Sequence, residues 1–250
     1  MERMLEATAR AEDLHFWFRG LRRTSRLLLD GAIARARAGR PLRQIVDCGS
    51  GTGRNLDWLS AYGRTVGVEL SPVGLRVGRS KRRPMVQASV TALPFADATA
   101  DLATSFDVLY CLEDDSERRA LREMWRILTP GGLALVNVAA LDILHGSHST
   151  LTHEVRRYTP ARLRARLEDA GFRIERMSFT NLTAFPPALV VRGLERLTGK
   201  AAEASESDLR VPMRPINLAL DVALTVEAVA MRVVNLPIGT SVMAVAQKAG

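Results

Sequence analysis

The stretch QIVDCGSGTGRNLDWL, residues 44–59, limits what this chain can fold into more than any other. A short apolar run ends in an acid, Asp47. Glycine then takes every second position, Gly49, Gly51 and Gly53, before a helical pattern resumes. A strand opening through a glycine-rich turn into a helix is how α/β proteins hold a nucleotide at the carboxyl end of a parallel sheet, near a helix N-terminus. Glycine is needed because a Cβ would keep the backbone away from the ligand. The pattern also separates nucleotide classes. A dinucleotide turn requires glycine or alanine where this chain has Arg54, and a P-loop requires a closing Gly-Lys-Ser/Thr that is missing here. An acid at position 47 suits a cationic ligand better than a pyrophosphate. Glu69, closing the next strand, stands where an acid binds both hydroxyls of a ribose.

From position 44 the chain alternates strand and helix. Strands are expected at 44–49, 65–70, 84–89, 100–109 and 133–139, with helices at 53–62, 71–80 and 116–128, the last closed by the turn TPGG at 129–132. Such alternation calls for a parallel sheet covered on both faces. RRYTPARLRARLEDAGF reads as a further helix, with Thr159 as N-cap, Pro160 in the first position and Gly171 past the end. Strands follow at 172–179 and 240–248. The intervening 180–238 is too long for a plain loop and holds two apolar segments, 185–197 and 216–234. Before the core, residues 14–43 carry eight arginines against one acid, Asp30, with Leu21, Ser25, Leu28, Leu29, Ala32, Ile33 and Ala36 at helical spacing. This spells a basic amphipathic helix.

An adenosine that bears a positive charge and no phosphate is S-adenosylmethionine (SAM), and the chain resembles the class I SAM-dependent methyltransferases. The resemblance covers residues 44–179 and the final strand. VDCGSGTG and VGVEL match two motifs, and VQASVTALPFADATADLATSFDVLYCLEDD followed by ALREMWRILTPGGLALVNV matches the central block of the small-molecule and lipid branch, the branch of the ubiquinone and menaquinone methyltransferases. It implies a Rossmann-like, doubly wound, seven-stranded, mostly parallel sheet with its last strand antiparallel. The organisation implied is an N-terminal helical lid (1–43), a SAM-binding core (44–179), a helical insertion (180–238) and a final core strand (239–250). By the same resemblance Asp47 meets the methionine ammonium, Gly49, Ser50, Gly51 and Gly53 make room for the cofactor, Glu69 takes the ribose and Leu70 lies against adenine. Ser89 and Val90 stand where the family usually has an acid for the adenine amino group, and Ser105 and Phe106 flank the methionine moiety. Relatives that carry Glu-His after DVL differ here, where Tyr110 and Cys111 follow.

Methyl transfer from a sulfonium asks mainly for in-line placement and exclusion of water. A base matters only for a weakly acidic acceptor. HGSHSTLTHEVRRY, after the fifth strand, offers His145, His148 and His153 for that role, with Arg157 and Tyr158 beside them. No carboxylate cluster accompanies the histidines, so no metal is expected. His15, Phe16, Trp17 and Phe18 read either as a lid over the cofactor or as a hydrophobic staple. Cys111 lacks the Pro-Cys context of a nucleophile.

The expected activity is methylation, at oxygen or carbon, of a small-molecule or lipid-like acceptor. An RNA or protein methyltransferase and a non-catalytic SAM-binding protein are the alternatives. The net charge of +8 is spread along the chain, mostly as arginine, so nucleic acid is not the expected partner. The insertion could roof the substrate, form a homodimer or touch a membrane peripherally. A charged N-terminus without an apolar leader core points to the cytoplasm.

Overall fold

The structure is a computed structural model, and it describes residues 2–37, 41–146, 154–198 and 211–249. Seven strands form one sheet: β1 (Leu42–Cys48), β2 (Gly63–Glu69), β3 (Met85–Gln87), β4 (Ala100–Phe106), β5 (Leu128–Ala139), β6 (Phe172–Thr180) and β7 (Ser241–Lys248). Their order is β3-β2-β1-β4-β5-β7-β6. The pairings β1–β2, β1–β4, β2–β3 and β4–β5 are parallel, while β7 runs antiparallel to both β5 and β6. This is the doubly wound sheet the strand–helix alternation calls for.

Eight α-helices are described: α1 (Glu2–Ala11), α2 (Phe16–Arg37), α3 (Arg54–Leu59), α4 (Pro72–Ser80), α5 (Asp114–Ile127), α6 (Pro160–Asp169), α7 (Phe185–Thr198) and α8 (Arg214–Ala230). Successive strand residues serve opposite faces, as a period of two requires. Ile45, Leu102, Leu135 and Met243 pack with Leu28, Leu29 and Ala32 of α2 and with Trp58 of α3. Their neighbours Val46, Ala103, Val136 and Ala244 pack with Leu121 and Met124 of α5 and with Leu163 and Leu167 of α6. The cap read for α6 is present, since Thr159 Oγ1 accepts from the Arg162 amide at 3.2 Å.

Three elements differ from the expectation. The TPGG segment is no break between helix and strand. It lies within β5, where four residues, Thr129 to Gly132, face the single Asp101 of β4 between the pairs Ala100–Leu128 and Leu102–Leu133. The surplus bulges, with Gly131 at φ 76°. Helix α1 lies within the 1–43 segment given as a helical lid, although only 14–43 was read as a helix from its spacing; its Glu, Met, Leu, Ala and Arg residues are strong helix formers. β3 is also shorter than the expected 84–89.

The described part of 180–238 carries two helices, α7 and α8, and the second does not stand apart. α8 lies along α2, so close that a Cβ on Gly20 would come within 2.5 Å of Leu224 Cδ1. Asp221 of α8 is shared by Arg19 (3.0 Å) and Arg23 (3.3 Å). Asn217 accepts from the Phe16 amide at 3.0 Å and donates to the Leu14 carbonyl at 2.9 Å, clamping the α1–α2 corner. Thr183 donates to Glu227 through both its amide (3.1 Å) and its hydroxyl (3.2 Å), tying the entry of α7 to α8. None of the described helices is long and apolar enough to cross a membrane.

Candidate active site

β1 delivers the chain into a turn whose three glycines adopt left-handed backbone, φ 79° at Gly49, 55° at Gly51 and 75° at Gly53. Only glycine takes that conformation without strain. At Gly49 a side chain is excluded twice, since a Cβ would also sit 2.4 Å from Val108 Cγ2. The Gly49 and Ser50 amides both donate to the Val68 carbonyl, at 2.8 and 2.9 Å, which binds the turn to the end of β2.

Asp47, one residue before the end of β1, is almost completely buried, at 1% exposure. Its Oδ1 accepts the Thr104 hydroxyl of β4 at 2.6 Å. Its Oδ2 is buried and accepts nothing among the described residues. Burial pushes the carboxyl up to about 7; the Thr104 hydrogen bond opposes this and the charge of Glu69 adds to it. A buried carboxylate oxygen without a donor is costly, and a cationic donor would satisfy it.

Glu69 ends β2, and two backbone amides hold it from opposite sides. Gly51 donates to Oε2 and Ser71 to Oε1, each at 2.7 Å. The carboxylate is thereby fixed while each oxygen keeps a second lone pair for a hydroxyl. Leu70, next in the chain, leaves 64% of its surface exposed above the sheet. Ser89 and Thr91 bond each other through their hydroxyls at 2.8 Å, and Val90 between them is half-buried. Ser105 is buried at the end of β4. The ring of Phe106 turns to the α2 side of the sheet, edge-on to Trp58 at 6.3 Å between centroids.

On the acceptor side the residues scatter. His148 and His153 lie outside the described residues. His145 is exposed, with its amide bonded to the Asp142 carbonyl at 3.0 Å. Arg157 grips Glu154 through two nitrogens, at 2.9 and 3.1 Å, and reaches the Ala140 carbonyl at 3.2 Å. Tyr158 is fully buried, and its hydroxyl donates to Glu117 of α5 at 2.6 Å. Glu117, itself without exposure, also pairs with Arg156 at 3.0 Å and Arg166 at 3.4 Å. The Tyr158 hydroxyl therefore belongs to a core network. Burial lifts the Cys111 thiol to about 12, so it holds little thiolate at neutral pH.

Two features were missed in the sequence. Asp107 follows β4 with φ 60°, a strained setting for a non-glycine residue. Its Oδ1 accepts from Asn137 Nδ2 at 2.9 Å, and desolvation lifts its carboxyl to about 7, with Glu154 and Arg157 close enough to act on it. The signal was its place, because the residue just past a parallel strand's carboxyl end faces the crevice. The second is the seating of α1. Leu5 Cδ2 lies 3.4 Å from where a Gly51 Cβ would stand, and Glu12 Oε2 accepts the Thr52 hydroxyl at 2.6 Å inside the turn. His15 links α1 to α2. It stacks on Phe16 at 4.6 Å, meets Phe18 edge-on at 5.9 Å and accepts the Trp17 amide on Nδ1 at 3.2 Å, capping α2. Trp17 and Phe18 remain half-buried.

Residues 46–136 match the family model of a methyltransferase domain. The chain is 37% identical over 113 residues to the ubiquinone/menaquinone biosynthesis C-methyltransferase UbiE of Vibrio parahaemolyticus, a match covering 39% of this chain and 41% of that relative. The chain thus spans about two fifths of the length of that relative. Its counterpart from Escherichia fergusonii is 29% identical over 187 residues, covering 58% and 71% of the two chains. Among solved structures, the complex of the Haloferax volcanii Trm112 methyltransferase activator with its methyltransferase matches at TM-score 0.58 and 20% identity, covering 96% of this chain and 91% of that one. The phosphoethanolamine N-methyltransferase 2 of Haemonchus contortus, solved with SAM, matches at 0.54 and 15%, covering 88% and 52%. Taken with the strand order and the glycine turn, these likenesses make residues 46–136 a methyltransferase domain of the class I, SAM-dependent family.

Proposed function

We propose that the protein transfers a methyl group from SAM to a small-molecule or lipid-like acceptor. The single observation that carries the reading is the pairing of a bare, buried Asp47 Oδ2 with a Glu69 carboxylate pinned by two amides, on either side of a turn whose three glycines all hold left-handed backbone. Asp47 would hold the ammonium, Glu69 the ribose hydroxyls and Leu70 the adenine face. SAM supplies an electrophilic methyl on a sulfonium, which leaves as S-adenosylhomocysteine. The chain's own residues bind, orient and exclude water.

Where the acceptor must lose a proton, Asp107 takes precedence over His145 as the base. It stands at the end of β4 with its carboxyl near 7, the range in which a general base works best. α1 and the His15–Phe18 corner act as the lid, since α1 already rests on Gly51 and Thr52. The acceptor class follows from the insertion. Leu218, Val222, Val226, Val229 and Val233 are spaced by four, four, three and four residues, and all are more than half exposed. The first four form an apolar stripe on the α8 face away from Leu224, and Val233 extends it into the turn that follows. α7 adds exposed Val190 and Leu194. An apolar acceptor, or the lipid surface that carries it, would cover this stripe.

Methyl-labelled SAM, incubated with the protein and a fractionated lysate, tests the reading. Label is expected in the organic extract, and label in RNA or protein would overturn the acceptor class. By calorimetry, Glu69→Ala should weaken SAM binding by roughly tenfold or more, the worth of a hydrogen-bonded charge; unchanged affinity removes the ribose assignment.

A further inference from the structure

A cleft of about 640 Å³ is lined mainly by α2, and none of the residues assigned to the cofactor lines it. Eight of its eleven lining residues are arginines and only one, Asp30, is an acid. α2 contributes five of the arginines, including Arg22, Arg26 and Arg35. Arg54 comes from α3, Arg176 from β6, and Arg232 from the turn after α8. Elements far apart in sequence thus converge on one strongly cationic surface.

Nearby carboxylates neutralise only part of it. Asp221 is divided between Arg19 and Arg23, while Arg54 has Asp13 at 2.6 Å and Asp57 at 3.2 Å. Asp30 accepts the Tyr62 hydroxyl at 2.6 Å. Arg22 donates to the Glu12 carbonyl at 2.7 Å, and Arg176 to Asn235 Oδ1 and the Val234 carbonyl, each at 3.0 Å, whereas Arg26, Arg35 and Arg232 are exposed; none of the five has a carboxylate within salt-bridge distance among the described residues. Arg23 also keeps Nη1 buried with no acceptor. The cations disturb one another. Burial, then the charge of Arg54, holds Arg22 down to about 10, and burial with Arg35 lowers Arg176. Exposed guanidiniums gathered on one surface raise its positive potential and attract an anion.

The geometry narrows the anion. Guanidinium forks match phosphate oxygens in pairs. The volume lies in the range of small-ligand clefts, about 300–1,000 Å³. Among the described residues no aromatic face lines the cleft, so they offer no platform on which bases could stack. We propose that this cleft binds a phosphate- or diphosphate-bearing ligand, free or as a lipid head group, at a site distinct from the glycine turn.

Inorganic pyrophosphate, titrated into the full chain and followed by calorimetry, gives the first readout. Tryptophan fluorescence gives a second, because Arg26 lies 5.6 Å over Trp58. Vesicles of phosphatidylcholine with and without phosphatidylglycerol give the third. The paired variants Arg22→Gln/Arg26→Gln and Arg35→Gln/Arg232→Gln should each weaken binding by roughly tenfold or more. Arg118→Gln/Arg122→Gln, which removes the same charge from the exposed face of α5, should leave it unchanged. Pyrophosphate binding without vesicle binding assigns a free ligand, and vesicle binding displaced by pyrophosphate assigns a head group. Equal loss in the α5 variant reduces the effect to net charge and overturns the proposal. Binding of neither probe overturns it too, as does binding of an oligonucleotide alone.

Discussion

Thr104 gives its hydroxyl hydrogen to one oxygen of Asp47, and the other has no partner among the described residues, so the proposed cofactor binding should depend on a proton. In the free protein the carboxyl titrates near 7, raised above the unfolded value by burial. A raised acid favours folding fully below its unfolded pKa, and that contribution is lost as pH climbs through about 7. A ligand ammonium needs the opposite form of Asp47. Its own α-amino group titrates at about 7.7–8.0. SAM affinity is therefore expected to rise with pH through about 7 and to fall beyond about 8. Calorimetry across that range should show the lower limb flattened in Asp47→Asn; an unaltered limb assigns the proton elsewhere. Asp107, also near 7, shows why part of the site was hidden from the sequence. An acid after a strand is ordinary in composition, and only its left-handed backbone and desolvation make it distinctive.

At the scale of elements, the arginines of the HEVRRY segment divide their work. Arg157 stays with Glu154 near Asp107, while Arg156 reaches Glu117 and Asp114 of α5. Tyr158 closes the same join from beneath, locking α5 to the start of α6. Tyr158→Phe leaves a buried carboxylate short of one donor, which costs about 2 kcal/mol. In a chain of this size that lowers Tm by roughly 4–8 °C. SAM affinity should be unchanged; lost turnover with an unchanged Tm would return the hydroxyl to the reaction. α8 was legible as a helix because it is apolar on nearly every face. That it packs along α2 was not legible, since the contact depends on Gly20 leaving room for Leu224. Asn217→Ala removes both bonds to the α1–α2 corner and should cost roughly 1–3 kcal/mol, the worth of two hydrogen bonds, in chemical denaturation.

At the scale of the whole molecule, the glycine turn has a floor in β1 and β2 and a cover in α1. If α1 is the lid, SAM should slow amide exchange in residues 2–11 together with 44–53, whereas protection of the turn alone would make α1 a fixed strut. The strand–helix alternation, the glycine turn, Asp47, Glu69 and the capped α6 are all readable in the sequence. Each depends on turn chemistry or a short periodicity, and those act over a few residues. Only the tertiary structure decided that Tyr158 spends its hydroxyl on Glu117 and that one oxygen of Asp47 stays bare. It also gathered arginines from α2, β6 and the end of α8 into one cleft. Such outcomes depend on which distant elements the sheet brings together, and burial and pairing are properties of that assembly.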